Sequence, residues 1–353
     1  MSVYFLMYIL LIGIWIYSNH IVERKRNNFI CISCFLVLWT IQSLRDFTVG
    51  VDLMNYIPLF LSSKYDMSSE GVEEGYLLFN RLIYKYISAD PHVFLSIVSA
   101  SILIPFTIVV RKYSKIPALS YIIFASFVIY VFSFSALRQT IAIGCTTLSY
   151  VFVEKKKILP FIALVFLATT FHSSAIIFLI VYPLCNFIKP SKKLYAAFII
   201  GLIIGLIIIA DSLSYYLKIT LPLIFPEGDY EEYVDNNKVA SYSLLILITI
   251  FFLLSFLIKK PTKTDLNLRV LLLLSVLCQS LGLISLQAPR VGFYFFIFIG
   301  IALANILKEG NFVYRDKIIG EIALTLFMIF FFYINYSGGY LDVVPYKFMQ
   351  TKW

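Results

Sequence analysis

The chain has 353 residues, of which 60% are hydrophobic, 17% aromatic and only 14% charged. Soluble domains carry about 25% charged residues, so this composition excludes a soluble globule and predicts a protein that crosses a membrane many times. The net charge of +9 does not indicate a nucleic-acid partner, because the basic residues form short clusters between apolar runs. No polar stretch is long enough for a separate soluble catalytic domain.

Apolar runs of membrane-spanning length recur along the whole chain. The first, 2–18, has no basic residues before it and no small-residue cleavage site after it, so it is predicted to be a retained span and not a secretory signal. The predicted spans are 2–18, 28–44, 92–110, 117–135, 137–153, 158–188, 194–212, 240–258, 266–286, 290–307 and 317–335. The chain 1–353 is therefore predicted to be a single all-α, polytopic transmembrane domain.

All five cysteines lie within these apolar runs. Cys31 and Cys34 form a CxxC pair, but no histidine and no second CxxC stands near it in the sequence. We interpret the cysteines as small, lipid-buried residues, and the sequence predicts no metal site.

The charged residues between the spans predict the topology. Lysine and arginine collect in alternate connections, and cytoplasmic loops are the ones that carry this excess. The basic clusters are Arg24, Lys25 and Arg26; Arg111, Lys112 and Lys115; Lys155, Lys156 and Lys157; Lys189, Lys192 and Lys193; Lys259, Lys260, Lys263 and Arg269; and Lys308, Arg315 and Lys317. Most acidic residues fall in two long connections, 45–91 and 212–239, which are predicted to be external. Within 45–91, the amphipathic stretch 76–87 predicts a helix along the membrane interface.

The segment 158–188 is too long for one upright span, since about 20 residues cross a bilayer. If the segment crosses the membrane twice, as a short hairpin or re-entrant pair, both of its ends stay in the cytoplasm and the alternation of charge is preserved in every later loop. This count gives about 12 spans, with both termini outside. The polar centre of the segment, around His172, then lies at the floor of a pit open to the outside, because irregular backbone at that depth must line a cavity or be buried in protein.

A few ionisable residues remain on the outer side. Arg45 ends a predicted span there, Arg138 and Arg290 each begin one, and His172 lies at the tip of the hairpin. A single arginine at a helix end often reaches to lipid headgroups. Three arginines on the outer side, where the positive-inside rule does not place them, indicate function. Converging arginines suit a multiply charged anion such as a phosphate or pyrophosphate. A neighbouring imidazole suits a base or an orienting group for a sugar hydroxyl.

Two carboxylates of the loop 45–91, Asp52 and Glu74, are candidates for general-base catalysis or for binding sugar hydroxyls. The alternative is an acidic loop that is simply solvated. Tyrosines near the external ends could stack on sugar faces, although most tyrosines of such a chain form the interfacial aromatic belt.

The residues of this region resemble the EpsG-like branch of the Wzy-type polysaccharide polymerases. The resemblance rests on Arg45 with Gly50-x-Asp52-x-x-x-Tyr56; on Glu74-Gly75-Tyr76; on Arg138-Gln139-x-x-Ala142; and on Phe171-His172-x-Ser174-Ala175, with Arg290 fitting further on. It covers most of residues 30–190.

The resemblance implies a GT-C-like membrane glycosyltransferase that joins polyprenyl-pyrophosphate-linked oligosaccharide units on the outer face of the bacterial inner membrane. Donor and acceptor would both be lipid-linked, with no metal, nucleotide sugar or other cofactor, and a chain-length regulator is a candidate partner. The implied catalytic residues are His172, Asp52 and Glu74. The implied substrate-binding residues are Arg45, Arg138, Gln139, Arg290, Tyr56 and Tyr76. The polymer would be a capsule, an exopolysaccharide or an O-antigen.

Other functions remain open on the sequence. An O-antigen-type ligase would use a similar arginine and histidine site on a different acceptor. A membrane acyltransferase could modify surface glycans through His172. A polysaccharide transporter is the third alternative, although transporters usually carry inverted repeats and charges at mid-depth.

Overall fold

The computed structural model describes residues 1–65, 71–187, 242–283 and 288–349. The predicted span 194–212, the predicted external loop 212–239 and the basic cluster Lys189–Lys193 lie outside the described residues. The α-helices of the described part, numbered in chain order, are α1 Ser2–Tyr17, α2 Glu23–Ser43, α3 Leu53–Ser62, α4 Glu74–Tyr86, α5 Pro91–Tyr113, α6 Pro117–Ser126, α7 Val128–Phe132, α8 Leu137–Glu154, α9 Ile158–Thr169, α10 Val181–Asn186, α11 Tyr242–Leu254, α12 Lys263–Ser280, α13 Phe293–Phe296, α14 Ile299–Glu309 and α15 Tyr314–Tyr336.

Local sequence accounts for several helix starts. The Asp90 side chain accepts a hydrogen bond from the backbone N–H of His92 at 2.8 Å, and Pro91 occupies the first helical position, so α5 begins there. At the start of α12, Thr262 and Asp265 form a reciprocal capping box. Such caps satisfy backbone N–H groups that the first turn of a helix leaves without partners.

The prediction of an all-helical membrane protein is confirmed, and no strand occurs among the described residues. By length and composition, three helical segments of the described chain qualify as membrane spans: Ser2–His20, Pro91–Tyr113 and Tyr314–Tyr336. A fourth candidate consists of Pro289–Phe296 and Ile299–Glu309, which meet at an angle of 49°.

Two of the predicted spans are interrupted helices in the structure. The stretch 117–135 breaks at Phe127 into α6 and α7, and the stretch 290–307 bends at Phe298. Both phenylalanines are buried, and the Phe127 ring lies 5.6 Å from the ring of Phe331. Irregular backbone is tolerated in a membrane where protein surrounds it, so the packing of these rings explains why the breaks are permitted.

The predicted hairpin at 158–188 is present up to the end of the described segment. Helix α9 runs to Thr169, the chain reverses through 170–172, and a 3-10 helix, Ser173–Ile180, leads into α10. The Phe161 ring near the start of the hairpin lies 5.3 Å from the Tyr182 ring near its end. Asn186 also donates a hydrogen bond to the carbonyl of Val153 at 3.3 Å. The chain therefore returns to the end of the bundle from which it started, and the 170–172 turn lies at the opposite end.

Polar contacts join the helices at the end of the bundle that carries the basic clusters, here called the basic end. The Glu154 carboxylate accepts hydrogen bonds from Tyr150 and from Asn267 of α12 at 2.6 and 3.0 Å. Asn305 of α14 donates to the carbonyl of Tyr113 at 3.0 Å and accepts from the N–H of Lys115 at 2.8 Å. These bonds align the ends of α5, α8, α12 and α14, with Lys155–Lys157, Lys263 and Lys308 beside them.

The opposite end, here called the site end, is closed by the C-terminal segment. The Tyr4 hydroxyl donates to the Val343 carbonyl at 2.9 Å, and the Tyr346 hydroxyl donates to the Ile41 carbonyl at 2.7 Å. Residues 45 and 348 form an isolated antiparallel bridge. This segment fixes the start of α1 and the end of α2, and the chain leaves α2 to enter the loop of the candidate site.

Candidate active site

The site end contains a cavity of about 590 Å³ between the start of α3, the start of α8, the hairpin turn and the short 3-10 helix Ala288–Gly292. Its lining residues are Asp52, Asn55, Tyr56, Leu59, Val72, Ala136, Arg138, Gln139, His172, Ser174, Arg290 and Val291. Six of the nine residues predicted for the site are therefore brought together. They come from four separate stretches of sequence.

The loop 45–52 reaches the cavity because Gly50 permits a close backbone contact. Gly50 has φ of +119°, and a Cβ there would overlap the carbonyl oxygen of Phe134. Only glycine adopts that conformation without strain. The next residue, Val51, donates its N–H to the Ser135 hydroxyl at 3.1 Å. The wall formed by Asp52 and Tyr56 is thereby held beside the start of α8.

Gly75 makes an equivalent contact with the hairpin. A Cβ on Gly75 would overlap the hydroxyl and the carbonyl oxygen of Thr170. The start of α4 therefore lies directly against the hairpin turn, and the residue at the α4 N-cap, Glu73, reaches the site.

Arg138 is held through two of the three nitrogens of its guanidinium. Nη1 donates to the Gly71 carbonyl at 3.0 Å and to the Glu73 carboxylate at 2.6 Å, and Nε contacts the Tyr56 hydroxyl at 3.4 Å. Nη2 makes no hydrogen bond with a described residue. The planar group is thus oriented by the protein and keeps donors for an anion.

Arg290 is exposed in the cavity wall, and its guanidinium has no hydrogen-bond or ion-pair partner among the described residues. Its position is fixed through the backbone, since Gln139 donates to the Arg290 carbonyl at 2.9 Å. Behind it, Gly292 packs closely on Cys278 of α12. Helix α8 therefore carries one cavity arginine, Arg138, and the adjacent residue, Gln139, holds the backbone of the other.

His172 is partly buried and contacts the same carboxylate as Arg138. Its Nδ1 lies 3.1 Å from Oε1 of Glu73, which also accepts from the N–H of Ser173 at 3.3 Å. Burial raises the pKa of Glu73, but the hydrogen bond from His172 and the charge of Arg138 outweigh it and lower the pKa to about 2. Glu73 is consequently a carboxylate at neutral pH.

Three residues predicted for the site do not line the cavity. Arg45 is fully buried and donates to the carbonyls of Gln42 and Phe134, with its guanidinium carbon 4.9 Å from the centre of the Phe134 ring. Glu74 is exposed on the first turn of α4. Tyr76 is buried behind the cavity, where its ring meets the Tyr56 ring edge-on at 5.7 Å.

Sequence reasoning missed three polar residues of the site: Asn55 and Ser174, which line the cavity, and Glu73, which contacts Arg138 and His172. The sequence showed Glu73 and Glu74 as a pair and gave no reason to prefer the first. Ser174 stood in the hairpin motif, and its hydroxyl lies 3.0 Å from the hydroxyl of the buried Tyr294. Asn55 follows Asp52 by one helical turn, and that spacing was the available signal.

Comparison with known proteins identifies the family. A model described as "EpsG family" matches residues 28–348, which is most of the chain. The chain belongs to the EpsG family. No curated protein and no solved structure matches it.

The resemblance found from the residues is thereby confirmed, since EpsG is a family of Wzy-type polysaccharide polymerase-like proteins. EpsG proteins are associated with glycosyltransferase-like polymerase activity, and the apolar helices indicate an integral membrane protein. This EpsG-family chain is therefore a membrane protein of polysaccharide biosynthesis.

Proposed function

We propose that the protein is a glycosyltransferase that polymerises polyprenyl-pyrophosphate-linked oligosaccharide repeat units on the outer face of the bacterial inner membrane. The observation that carries this proposal is the cavity at the site end, where two arginines and a histidine from distant stretches meet. The EpsG family supplies the reaction class.

Arg138 and Arg290 are proposed to bind the diphosphate of the donor. Guanidinium groups match phosphate oxygens in pairs, and both side chains have donors without a partner among the described residues. Charge develops on the diphosphate as it leaves, so the same two cations would stabilise the transition state. Arg45 has no part in this proposal, because its guanidinium lies buried against backbone carbonyls.

His172 is proposed as the base, and Asp52 is the alternative carboxylate within the cavity. The proton of the acceptor hydroxyl moves to the base while the acceptor oxygen attacks the anomeric carbon. The bond from that carbon to the diphosphate oxygen breaks, and its electron pair stays on the leaving phosphate. A single displacement of this kind inverts the anomeric configuration.

The remaining polar lining would bind sugar. Asn55, Gln139 and Ser174 offer neutral hydrogen-bonding groups, and Tyr56 offers a ring to a sugar face. The polyprenyl chains would lie in the bilayer between helices, which explains why such an enzyme is embedded in the membrane.

The separation of charge along the bundle supports the proposed orientation. The described basic clusters lie at the basic end, and the positive-inside rule assigns such an end to the cytoplasm. The cavity at the other end would then face outside, where no nucleotide sugar is present and a lipid-linked donor is required. The full topology that we propose has about 12 spans and is GT-C-like, and a chain-length regulator is the proposed protein partner.

The test is a set of alanine variants in the producing cell. We expect Arg138→Ala and His172→Ala to abolish polymer while the protein still accumulates in the membrane. The matched controls are Arg24→Ala and His20→Ala, since both side chains are exposed and neither lines the cavity. Polymer of normal length in both cavity variants would contradict the assignment. Cells that lack the protein yet still display single repeat units would also exclude a ligase, since a ligase attaches even those.

A further inference from the structure

Glu73 contacts both Arg138, the proposed diphosphate-binding residue, and His172, the proposed base. Its Oε2 accepts from Arg138 at 2.6 Å and its Oε1 lies 3.1 Å from Nδ1 of His172. The side chains are 21%, 26% and 30% exposed, in the order glutamate, arginine, histidine. All three are sheltered enough for their hydrogen bonds to be stronger than those of a solvated surface pair.

The contact with Glu73 decides which imidazole nitrogen carries the proton. An ionised carboxylate accepts hydrogen bonds and donates none, so Nδ1 of His172 must be the donor. A neutral imidazole carries one proton, which leaves the lone pair on Nε2. Nε2 is then the nitrogen that can take a proton from an acceptor hydroxyl.

We propose that Glu73 is the positioning residue of this site, which holds His172 with its proton on Nδ1 and stabilises the imidazolium that forms when Nε2 takes the acceptor's proton. This inference rests on the proposed function. The transferred proton comes from the acceptor hydroxyl, whose oxygen forms the new bond to the anomeric carbon, while the diphosphate leaves with the electron pair of the broken bond. A carboxylate beside a catalytic imidazole performs this stabilisation without itself becoming protonated.

Glu73 also balances the charge of the groups that surround His172. Among the described residues, the titratable and charged groups around His172 are Glu73 at the N-cap of α4, Asp52 and Tyr56 of the α3 start, Arg138 of α8, Arg290 of the 3-10 helix and Tyr294 of α13. With a neutral imidazole, the two arginines and the two carboxylates of this described set sum to no net charge. A protonated imidazole would add a positive charge, and Glu73 is the carboxylate in direct contact with it.

The first test reads the tautomer without any turnover. The chain has three histidines, so ¹⁵N-histidine labelling in detergent or nanodiscs gives few imidazole signals, and His172→Gln assigns the relevant one. We expect the His172 signal of the wild-type protein to show a protonated Nδ1 and a bare Nε2. In Glu73→Ala we expect the Nε2-protonated form to appear. A wild-type signal with the proton on Nε2, or an unchanged tautomer in Glu73→Ala, would overturn the proposal.

The second test uses polymerisation of a lipid-pyrophosphate oligosaccharide. We expect Glu73→Gln to lower kcat by about 10²-fold, within the range for general-base catalysis, because the imidazolium then loses its counter-charge. Glu73→Asp keeps the charge and should recover part of the rate. Glu309→Gln, at a 43% exposed ion pair with Lys115, is the matched control.

The two proposals fail in different ways. A wild-type protein that makes no polymer from the lipid-linked substrate contradicts the proposed function, and the tautomer measurement still decides the role of Glu73. An active wild-type protein whose Glu73→Gln variant keeps its rate contradicts the role of Glu73 alone.

Discussion

Three arginines look alike in the sequence, since each begins or ends a predicted span on the same side. Their surroundings differ in the folded chain. Arg138 and Arg290 line the cavity, whereas Arg45 points into the protein and caps backbone carbonyls at the ends of α2 and α7. Sequence position predicts the end of the helix on which a residue lies. The direction of its side chain depends on neighbours distant in sequence, such as Phe134, and could not be predicted.

Arg45 is therefore expected to act on stability and not on substrate binding. Arg45→Met leaves the carbonyls of Gln42 and Phe134 without their charged donor, which should lower the free energy of unfolding by about 2–3 kcal/mol. Thermal unfolding of the purified protein measures this loss, with Arg24→Met as the exposed control. An unchanged melting temperature combined with a raised KM for the lipid-linked donor would contradict this expectation and show that Arg45 takes part in substrate binding.

The pH dependence of stability tests the ionisation of Glu73. Its pKa falls from an ordinary value of 4.5 to about 2 in the folded protein. A carboxyl group with a depressed pKa stabilises the fold above its unfolded pKa and loses that contribution as the pH falls through the folded pKa. The contribution at pH 7 is on the order of 3 kcal/mol.

We therefore expect wild-type protein to be more stable than Glu73→Gln at pH 7. The difference in free energy of unfolding should shrink as the pH falls from about 4.5 towards 2, because protonated Glu73 then resembles glutamine. Thermal unfolding of both proteins across this range measures it. A difference that stays constant down to pH 3 would show that Glu73 is not the group that titrates.

At the scale of elements, the hairpin was the most informative prediction. A run too long for one span and too short for two, with a polar centre, indicated a reversal at 170–172, and the chain does reverse there. The partner of that turn was not predictable, because the contact between Gly75 and Thr170 joins residues almost a hundred positions apart. The breaks at Phe127 and Phe298 were also not predictable, since apolar sequence continues through both.

The contact between α4 and the hairpin can be tested at Gly75. In Gly75→Ala the new methyl group overlaps Thr170, so we expect α4 to shift away from the hairpin, with a loss of about 1–3 kcal/mol in stability and a weakened contact between Glu73 and His172. Polymer formation should fall about tenfold or more, as expected for a misplaced catalytic group. Gly13→Ala is the control, since nothing lies within 4 Å of its added carbon. Equal activity and stability in both variants would show that this contact does not position the site.

Over the whole molecule, the charge pattern predicted which loops share an end of the bundle. The bond between Asn267 and Glu154, and the bonds of Asn305 with Tyr113 and Lys115, bring the ends of α5, α8, α12 and α14 together with the basic residues beside them. The sequence could not predict which helices neighbour one another, because the apolar runs have nearly uniform composition and lipid-facing and buried residues differ little in them.

The proposed orientation can be measured by cysteine labelling. In a variant without native cysteines, we expect Ser173→Cys at the hairpin tip to react with a membrane-impermeant maleimide in intact cells. Lys155→Cys at the basic end should react only after the membrane is permeabilised. Both wild-type side chains are exposed, so reactivity reports the side of the membrane. Labelling of position 155 in intact cells, or protection of position 173, would contradict the outward-facing cavity.

The most direct measurement of the polymerase assignment is made in vitro. Purified protein receives a polyprenyl-pyrophosphate oligosaccharide as the sole substrate, with a chelator and without any nucleotide. We expect a ladder of products that differ by one repeat unit, and no ladder with Arg138→Ala or His172→Ala. A folded wild-type protein that yields no ladder, or a ladder that persists in both variants, would contradict the account.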